Sequence, residues 1–410
     1  MGKVNLRNKQ SEDESVDIVI VAAKRTPIGR FGGALASVNA VELGTIASKA
    51  AISAAGIDPQ QIDQAIFGNV YQANSGQNVA RQIALNSGMA NTSTAMTVNE
   101  VCGSGLKAIR LGQSAILLGD AQVVLVGGTE SMSQVPYYLP NARFGAKFGD
   151  SQMIDGLGRD GLNDAFNGKP MGVTAENVAE RYHVTRQQQD DWALQSHQRA
   201  VKAIADGQFA DEIVPVTVQT RKGDVVVDTD EGPRADTSAA KLAQLRTVFK
   251  ADGTVTAGNA SAINDGASAL ILMSKERADA LGLDYLAVLD GYAEVGTDPN
   301  YMGYAPYEVI RQLLQRTDTD KDDVDLYELN EAFAAQSVAV VRDLGLNPEH
   351  VNVNGGAIAL GHPLGDSGAR IVVTLIHALA ARHQSRGIAA LCIGGGLGVG
   401  LQLHRVTDHA

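Results

Sequence analysis

Two stretches decide how this chain is read: "TVNEVCGSGLKAIR" (residues 97–110) and "VNVNGGAIALGHPLGDSGAR" (residues 351–370). Each runs from an apolar, β-branched start through a Gly-rich turn into a helical pattern. Two further pairs flank them in the same order. "AGIDPQQIDQAIFGNV" (55–70) precedes the first stretch as "TDTDKDDVDLYELNEAF" (317–333) precedes the second. "GDAQVVLVGGTESM" (119–132) follows the first as "SRGIAALCIGGGLGVG" (385–400) follows the second. A unit that occurs twice in one order predicts two similar halves, with loops from both meeting at one place.

Outward from these stretches the pattern is α/β. Strands are expected at 17–22, 64–69, 95–99 and 122–126, the last closed by Gly127-Gly128, with helices at 41–55 and 104–118. Between about 131 and 251 the chain is rich in Asp, Gln, Arg and Gly and reads as an inserted cap with short polar strands. Alternation resumes at 264–273. The expected division is a solvated tail over 1–16, a first half over 17–129 plus 250–282, an insert over 130–249 and a second half over 283–410.

The length of 410 residues suits two or three core units, and 44% hydrophobic with 20% charged residues is an ordinary globular composition. A net charge of -12 argues against a surface that tracks nucleic-acid phosphates or anionic lipid. No apolar run reaches the roughly 20 residues of a spanning helix, and residues 1–16 carry no apolar signal core. A cytoplasmic location is expected. Two cysteines, Cys102 and Cys392, exclude a disulfide scaffold and a CxxC metal knuckle, so no metal site is expected.

Both thiols lie among glycines. Cys102 in "NEVCGSG" stands where a helix begins, and N–H groups at a helix N-terminus would shift its thiol toward thiolate. A buried, inert thiol is the plain alternative. His362 in "GGAIALGHPLG" sits in a turn, where a histidine can serve as general base to a thiol; most lone histidines are structural. Cys392 leads into "CIGGGLG", which lacks dinucleotide-binding spacing and suits a backbone anion nest. Asn330 in "NEAF" is a turn former or the holder of a water beside an oxyanion, and Ser261 and Asn259 lie in a small-residue loop.

The blocks "NEVCGSG", "GNASAINDGA", "NEAF", "NVNGGAIALGHP" and "CIGGGLG", in this order, resemble the thiolase family from about Val16 to Arg405. The resemblance implies a five-layer αβαβα fold of two similar halves with an inserted loop domain. It implies an acetyl-CoA C-acetyltransferase that condenses two acetyl-CoA into acetoacetyl-CoA and CoA by a ping-pong route, and runs the reverse thiolysis. Cys102 would carry the acetyl group, His362 would activate it, and Cys392 would exchange the Cα proton. One oxyanion site would use His362 and a water on Asn330; the other would use the N–H groups of Cys102 and Gly394. Leu162, Met171, Phe249, Ala257, Ser261, Met302 and Phe333 would line the substrate channel, and Arg221 would meet the nucleotide. Coenzyme A thioesters are then substrates and no separate cofactor is implied; the family forms homo-oligomers, commonly tetramers built as dimers of dimers.

Two departures bear on chain length: Pro170 stands where biosynthetic members often carry His, and Tyr304-Ala305 replaces a Gly-rich sequence beside the acyl pocket. The enzymatic alternative is a 3-ketoacyl-CoA thiolase of broader chain length. Cys392 argues against a decarboxylating ketoacyl synthase, which pairs its cysteine with two histidines. A non-catalytic acyl-CoA-binding scaffold would not need both thiols and His362.

Overall fold

The computed structural model describes residues 16–406. Of the expected solvated tail, residues 1–15 lie outside the described residues. The main sheet has ten strands, and its long path joins two segments where Ile18–Arg25 pairs with Ala287–Gly296 through Val19–Val288 and Ile20–Ala287.

On either side of that seam the order is the same. In the first half, Ile18–Arg25 is followed across the sheet by Asn264–Ser274, Val123–Ser131, Gln64–Gly68 and Thr94–Val98. In the second, Ala287–Gly296 is followed by Leu397–His404, Arg386–Ile393 and Leu326–Leu329, and then by a parallel bridge from Tyr327 to Val351. Each half has two antiparallel pairings and then parallel ones. The repeat read from the sequence is therefore a repeat of topology.

Side-chain alternation builds the layers, because successive residues of a strand face opposite sides. Ile18 and Ile20 face a central core with Ile109 and Val372. Val19 and Val21 face an outer core with Leu43 and Ala47 from helix Ala40–Ala55. A third core packs Val309, Ile310 and Val340 on Ile388 and Ala390 of the second half. The resulting sequence of layers is helix, sheet, helix, sheet, helix.

Helices Ser104–Leu117 and Leu364–Ala381 form the middle layer and pack on each other. Their contact is backbone to backbone: a Cβ on Gly105 would lie 2.6 Å from Ala369 N, and one on Gly368 would lie 2.4 Å from Leu106 N. Cys102 and His362 sit just before these two helices, so the glycine crossing brings the two candidate residues together. Leu364–Ala381 has 18 residues and a mean hydropathy of 1.2, long and apolar enough to cross a bilayer by length and composition, and 83% of it is buried inside the fold.

Two expectations about extent change. Strand Val123–Ser131 does not close at Gly127-Gly128 but runs on to Ser131. A Cβ on Gly128 would lie 2.2 Å from the Gly365 carbonyl, so glycine there serves a close approach inside the strand rather than a turn. The stretch expected to hold short polar strands also contains two helices, Gly172–Arg181 and Arg186–Ala205, beside the hairpin Val216–Thr220 and Gly223–Val227. The longer helix starts at a Thr185–Gln188 capping box. Its buried face carries Gln189, Asp190, Ser196 and His197, which hid the apolar period from the sequence.

Candidate active site

Cys102 follows Val101, a β-branched residue held at φ 48, in a region that costs roughly 1–3 kcal/mol. Ser104 holds this turn: its Oγ accepts from the Glu100 N–H at 2.8 Å and donates to the Val101 carbonyl at 2.6 Å. The turn thus fixes Cys102 immediately ahead of helix Ser104–Leu117. Burial pushes the Cys102 thiol up to about 11, although the N–H groups of Gly394 and of Cys102 itself favour the thiolate. This corrects the expectation of a thiol shifted toward thiolate. Desolvation outweighs the helix N-terminus because the group is buried.

His362 precedes helix Leu364–Ala381, and its backbone N–H donates to Asn264 Oδ1 at 3.0 Å. Its Nδ1 lies 2.5 Å from Ser367 Oγ. That hydroxyl donates its one proton to the Pro363 carbonyl at 2.8 Å, so it can only accept from Nδ1. The network therefore assigns the Nδ1–H tautomer and leaves a lone pair on Nε2. Burial, with Arg370 second, lowers the imidazole to about 3, so the ring is neutral at rest. An Nε2–H that donates to an oxyanion is not the resting state; it exists once Nε2 has taken a proton.

Cys392 is the penultimate residue of strand Arg386–Ile393 and is 1% exposed. Burial raises its thiol, and the neighbouring Cys102 raises it further. Asn330 is buried beside the imidazole, with Nδ2 3.5 Å from both ring nitrogens. Its Oδ1 has no hydrogen-bond partner among the described residues.

A cavity of about 490 Å³ collects most of the other expected residues. Cys102, His362, Gly394, Leu162, Met171, Phe249, Ala257, Ser261, Met302 and Phe333 all line it. Phe249 and Phe333 meet edge to face at 6.3 Å, and Phe249 lies over Gly172, where a Cβ would come within 2.1 Å of the ring. Ser261 Oγ donates to the Ala332 carbonyl at 3.0 Å. Pro170 is also on the wall.

Two residues fall elsewhere. Arg221 stands exposed in the hairpin turn between Val216–Thr220 and Gly223–Val227 and does not line the cavity. Tyr304 does not face the acyl pocket. It stacks between Tyr182 at 3.8 Å and Tyr307 at 5.0 Å, with its hydroxyl donating to Asp343 at 2.9 Å.

A second cavity of about 490 Å³ shares Ala257, Ala260, Ala262 and Ile263 with the first and carries the basic side chains Arg30, Arg234 and Lys241. Asp236 is its carboxylate and pairs with Lys241 at 2.6 Å. Burial, then Arg234 and Arg30, lower His197 in its wall to about 4. These cations were missed in the sequence because they come from two stretches far apart in the chain; "EGPRAD" carries no motif that marks Arg234.

A buried thiol and a neutral imidazole with no proton on Nε2 stand on the wall of one apolar cavity, the pairing that acyl transfer through a cysteine would use. The family model described as "Thiolase, N-terminal domain" matches residues 18–276, and "Thiolase, C-terminal domain" matches residues 283–405. The chain belongs to the thiolase family. It is 51% identical over 391 residues to an acetyl-CoA acetyltransferase of Chromobacterium violaceum, spanning 95% of this chain and 100% of that protein. The crystal structure of the Bacillus anthracis acetyl-CoA acetyltransferase superimposes with a TM-score of 0.93 at 46% identity, covering 95% of this chain and 99% of that one. Human mitochondrial 3-ketoacyl-CoA thiolase gives 0.93 at 43% identity, with 95% and 99% covered.

Proposed function

We propose that the chain is an acetyl-CoA C-acetyltransferase, condensing two acetyl-CoA into acetoacetyl-CoA and CoA by a ping-pong route and catalysing the reverse thiolysis. The observation that carries this reading is the meeting of Cys102, a neutral His362 and Gly394 on one cavity, with Cys392 packed directly behind Met302, Ala332, Met171 and Phe333 of its wall.

In the first half-reaction Nε2 of His362 takes the proton of Cys102 as the sulfur attacks the thioester carbonyl. The tetrahedral oxygen then meets the N–H groups of Cys102 and Gly394, and each such donor is worth roughly 100- to 1000-fold in rate. CoA leaves with the proton of Cys392, which becomes a thiolate, while the acetyl group stays on Cys102 and His362 keeps the proton of Cys102 on Nε2. In the second, Cys392 takes a proton from Cα of the next acetyl-CoA while the electron pair moves to its thioester oxygen. The Nε2–H that His362 gained from Cys102, with Asn330 holding a water through its Oδ1, stabilises that oxygen. The carbanion attacks the acetyl carbonyl, and Cys102 departs with the proton from Nε2 of His362, while Cys392 keeps the Cα proton and both thiols are restored.

Arg30, Arg234 and Lys241 are read as the groups that meet the phosphates of coenzyme A, ahead of the exposed Arg221. Coenzyme A thioesters are the substrates and no further cofactor is assigned. We read the assembly as a homo-oligomer, a tetramer by family precedent. Support comes from edge strand Thr94–Val98 with exposed Met96, and from Tyr137, Phe144, Phe148 and Met153, whose apolar surface is open. Two free cysteines suit a reducing, cytoplasmic compartment.

The second reading, a thiolase of broader chain length, is favoured by Pro170 on the cavity wall. Steady-state thiolysis of C4, C6 and C8 3-ketoacyl-CoA separates the two. A strong preference for C4 is expected; comparable rates on C8 would overturn the acetoacetyl-CoA assignment.

A further inference from the structure

Gln336 belongs to none of the groups named so far, yet its side chain is 2% exposed and ends on the Cys392 sulfur. Its Oε1 lies 3.0 Å from Cys392 Sγ, and its Nε2 donates to the Asn330 carbonyl at 3.0 Å. The second bond fixes the sense of the first. A carbonyl can only accept, so the amide N–H must face Asn330, and turning the amide over would set two oxygens against each other. An amide N–H aimed at the sulfur would favour the thiolate; here the oxygen faces the sulfur and accepts from the S–H.

We propose that Gln336 is a positioning residue that holds the proton on Cys392 and makes its thiolate a stronger base. The inference rests on the reading in which Cys392 exchanges a proton with the substrate Cα. The principle is that a hydrogen bond to the neutral form disfavours the charged one. A thiolate formed on Cys392 faces a carbonyl oxygen at close range and is relieved by taking a proton. In condensation that proton comes from Cα, and the electron pair left behind moves to the thioester oxygen.

The surroundings leave this role to Gln336. Met302 and Ala332, with Met171 and Phe333, complete the packing around the sulfur and carry no charge. Of the titratable groups lining the cavity, which are Cys102, His362 and Asp155, Cys102 acts on the Cys392 sulfur, and it is itself neutral at rest. Gln336 is held from behind as well: a Cβ on Gly303 would lie 3.1 Å from its own Cβ, so the helix carrying it sits directly on the turn that carries Met302.

Because the chain has two cysteines, Cys102→Ala leaves Cys392 as its one thiol, and alkylation by iodoacetamide against pH reports the thiolate fraction directly. Adding Gln336→Leu removes the acceptor and is expected to speed alkylation at pH 8 about tenfold, one unit of pKa. Gln336→Met replaces it if the leucine variant does not fold. Adding Gln336→Glu keeps an acceptor oxygen on the sulfur, ionised or protonated onto the Asn330 carbonyl, and is expected to react no faster than the parent. A pocket that had merely loosened would speed both, and that result, or no change in either, overturns the proposal. In the chain with Cys102 intact, trapping of radiolabelled acetyl-CoA tests the underlying reading separately. Wild-type protein that takes no label sinks the thiolase chemistry, whereas label retained in Gln336→Leu with condensation slowed about tenfold supports the role given to Gln336.

Discussion

His362 donates from Nδ1 to Ser367 Oγ across 2.5 Å, and the Ser367 hydroxyl in turn donates a hydrogen bond to the Pro363 carbonyl. One hydroxyl thereby decides which ring nitrogen can act as a base. Ser367→Ala lets the imidazole place its proton on either nitrogen. Acetyl transfer to Cys102 should slow about tenfold, the worth of one buried hydrogen bond, with the KM for acetyl-CoA nearly unchanged. A variant with wild-type acylation rate would show that the tautomer is fixed by something other than Ser367.

The acylation half-reaction should be flat in pH. His362 is lowered to about 3 and Cys102 is raised to about 11, both chiefly by burial, so the neutral pair persists between those values. Pre-steady-state release of CoA should vary less than about twofold from pH 6 to 9. A bell with a midpoint near 7 would mean a thiolate–imidazolium pair at rest.

The two basic regions should separate in kinetics. Arg234→Ala removes a cation from the second cavity and should raise the KM for acetyl-CoA about tenfold with kcat within about twofold, the cost of one charge-assisted contact. Arg221→Ala, at the exposed hairpin turn, should change KM by less than about twofold. The reverse ranking would return the nucleotide to the hairpin.

Glu328 and Arg370 form a buried pair at 3.5 Å in which, among the described residues, neither the carboxylate nor the terminal guanidinium nitrogens make a hydrogen bond. Burial pushes Glu328 from 4.5 up to about 8, with Arg370 opposing. The unfolded chain releases this proton near its ordinary value while the folded chain keeps it. The stabilisation is therefore full below about pH 4.5 and is lost as pH rises toward 8. Glu328→Gln keeps the neutral form at every pH, so its thermal midpoint should fall less than wild type between pH 5 and 8.5. Parallel curves for the two proteins would place the proton elsewhere.

Much of the candidate site could be read in the chain because its parts are local. Cys102 and His362 each stand in a short Gly-rich turn just before a helix, Cys392 stands in a strand that runs directly into three glycines, and such turns leave a mark in sequence. The strand–turn–helix unit occurs twice, so the two halves and their meeting loops were also legible, as Tyr327–Val351 and Gln64–Gly68 beside Thr94–Val98 bear out in the sheet.

What the sequence could not carry depends on distance through space. Arg30, Arg234 and Lys241 share one cavity only after the chain has folded, and no spacing along the chain announces them. The ionisation of Cys102 turned on burial rather than on the helix that follows it, because desolvation is set by everything packed around the group. Tyr304 turned outward because Tyr182 and Tyr307 offered it a stack. The sequence determined which side chains stand at the turns; the packing of two helices across Gly105 and Gly368 decided which of them meet, and in which protonation state.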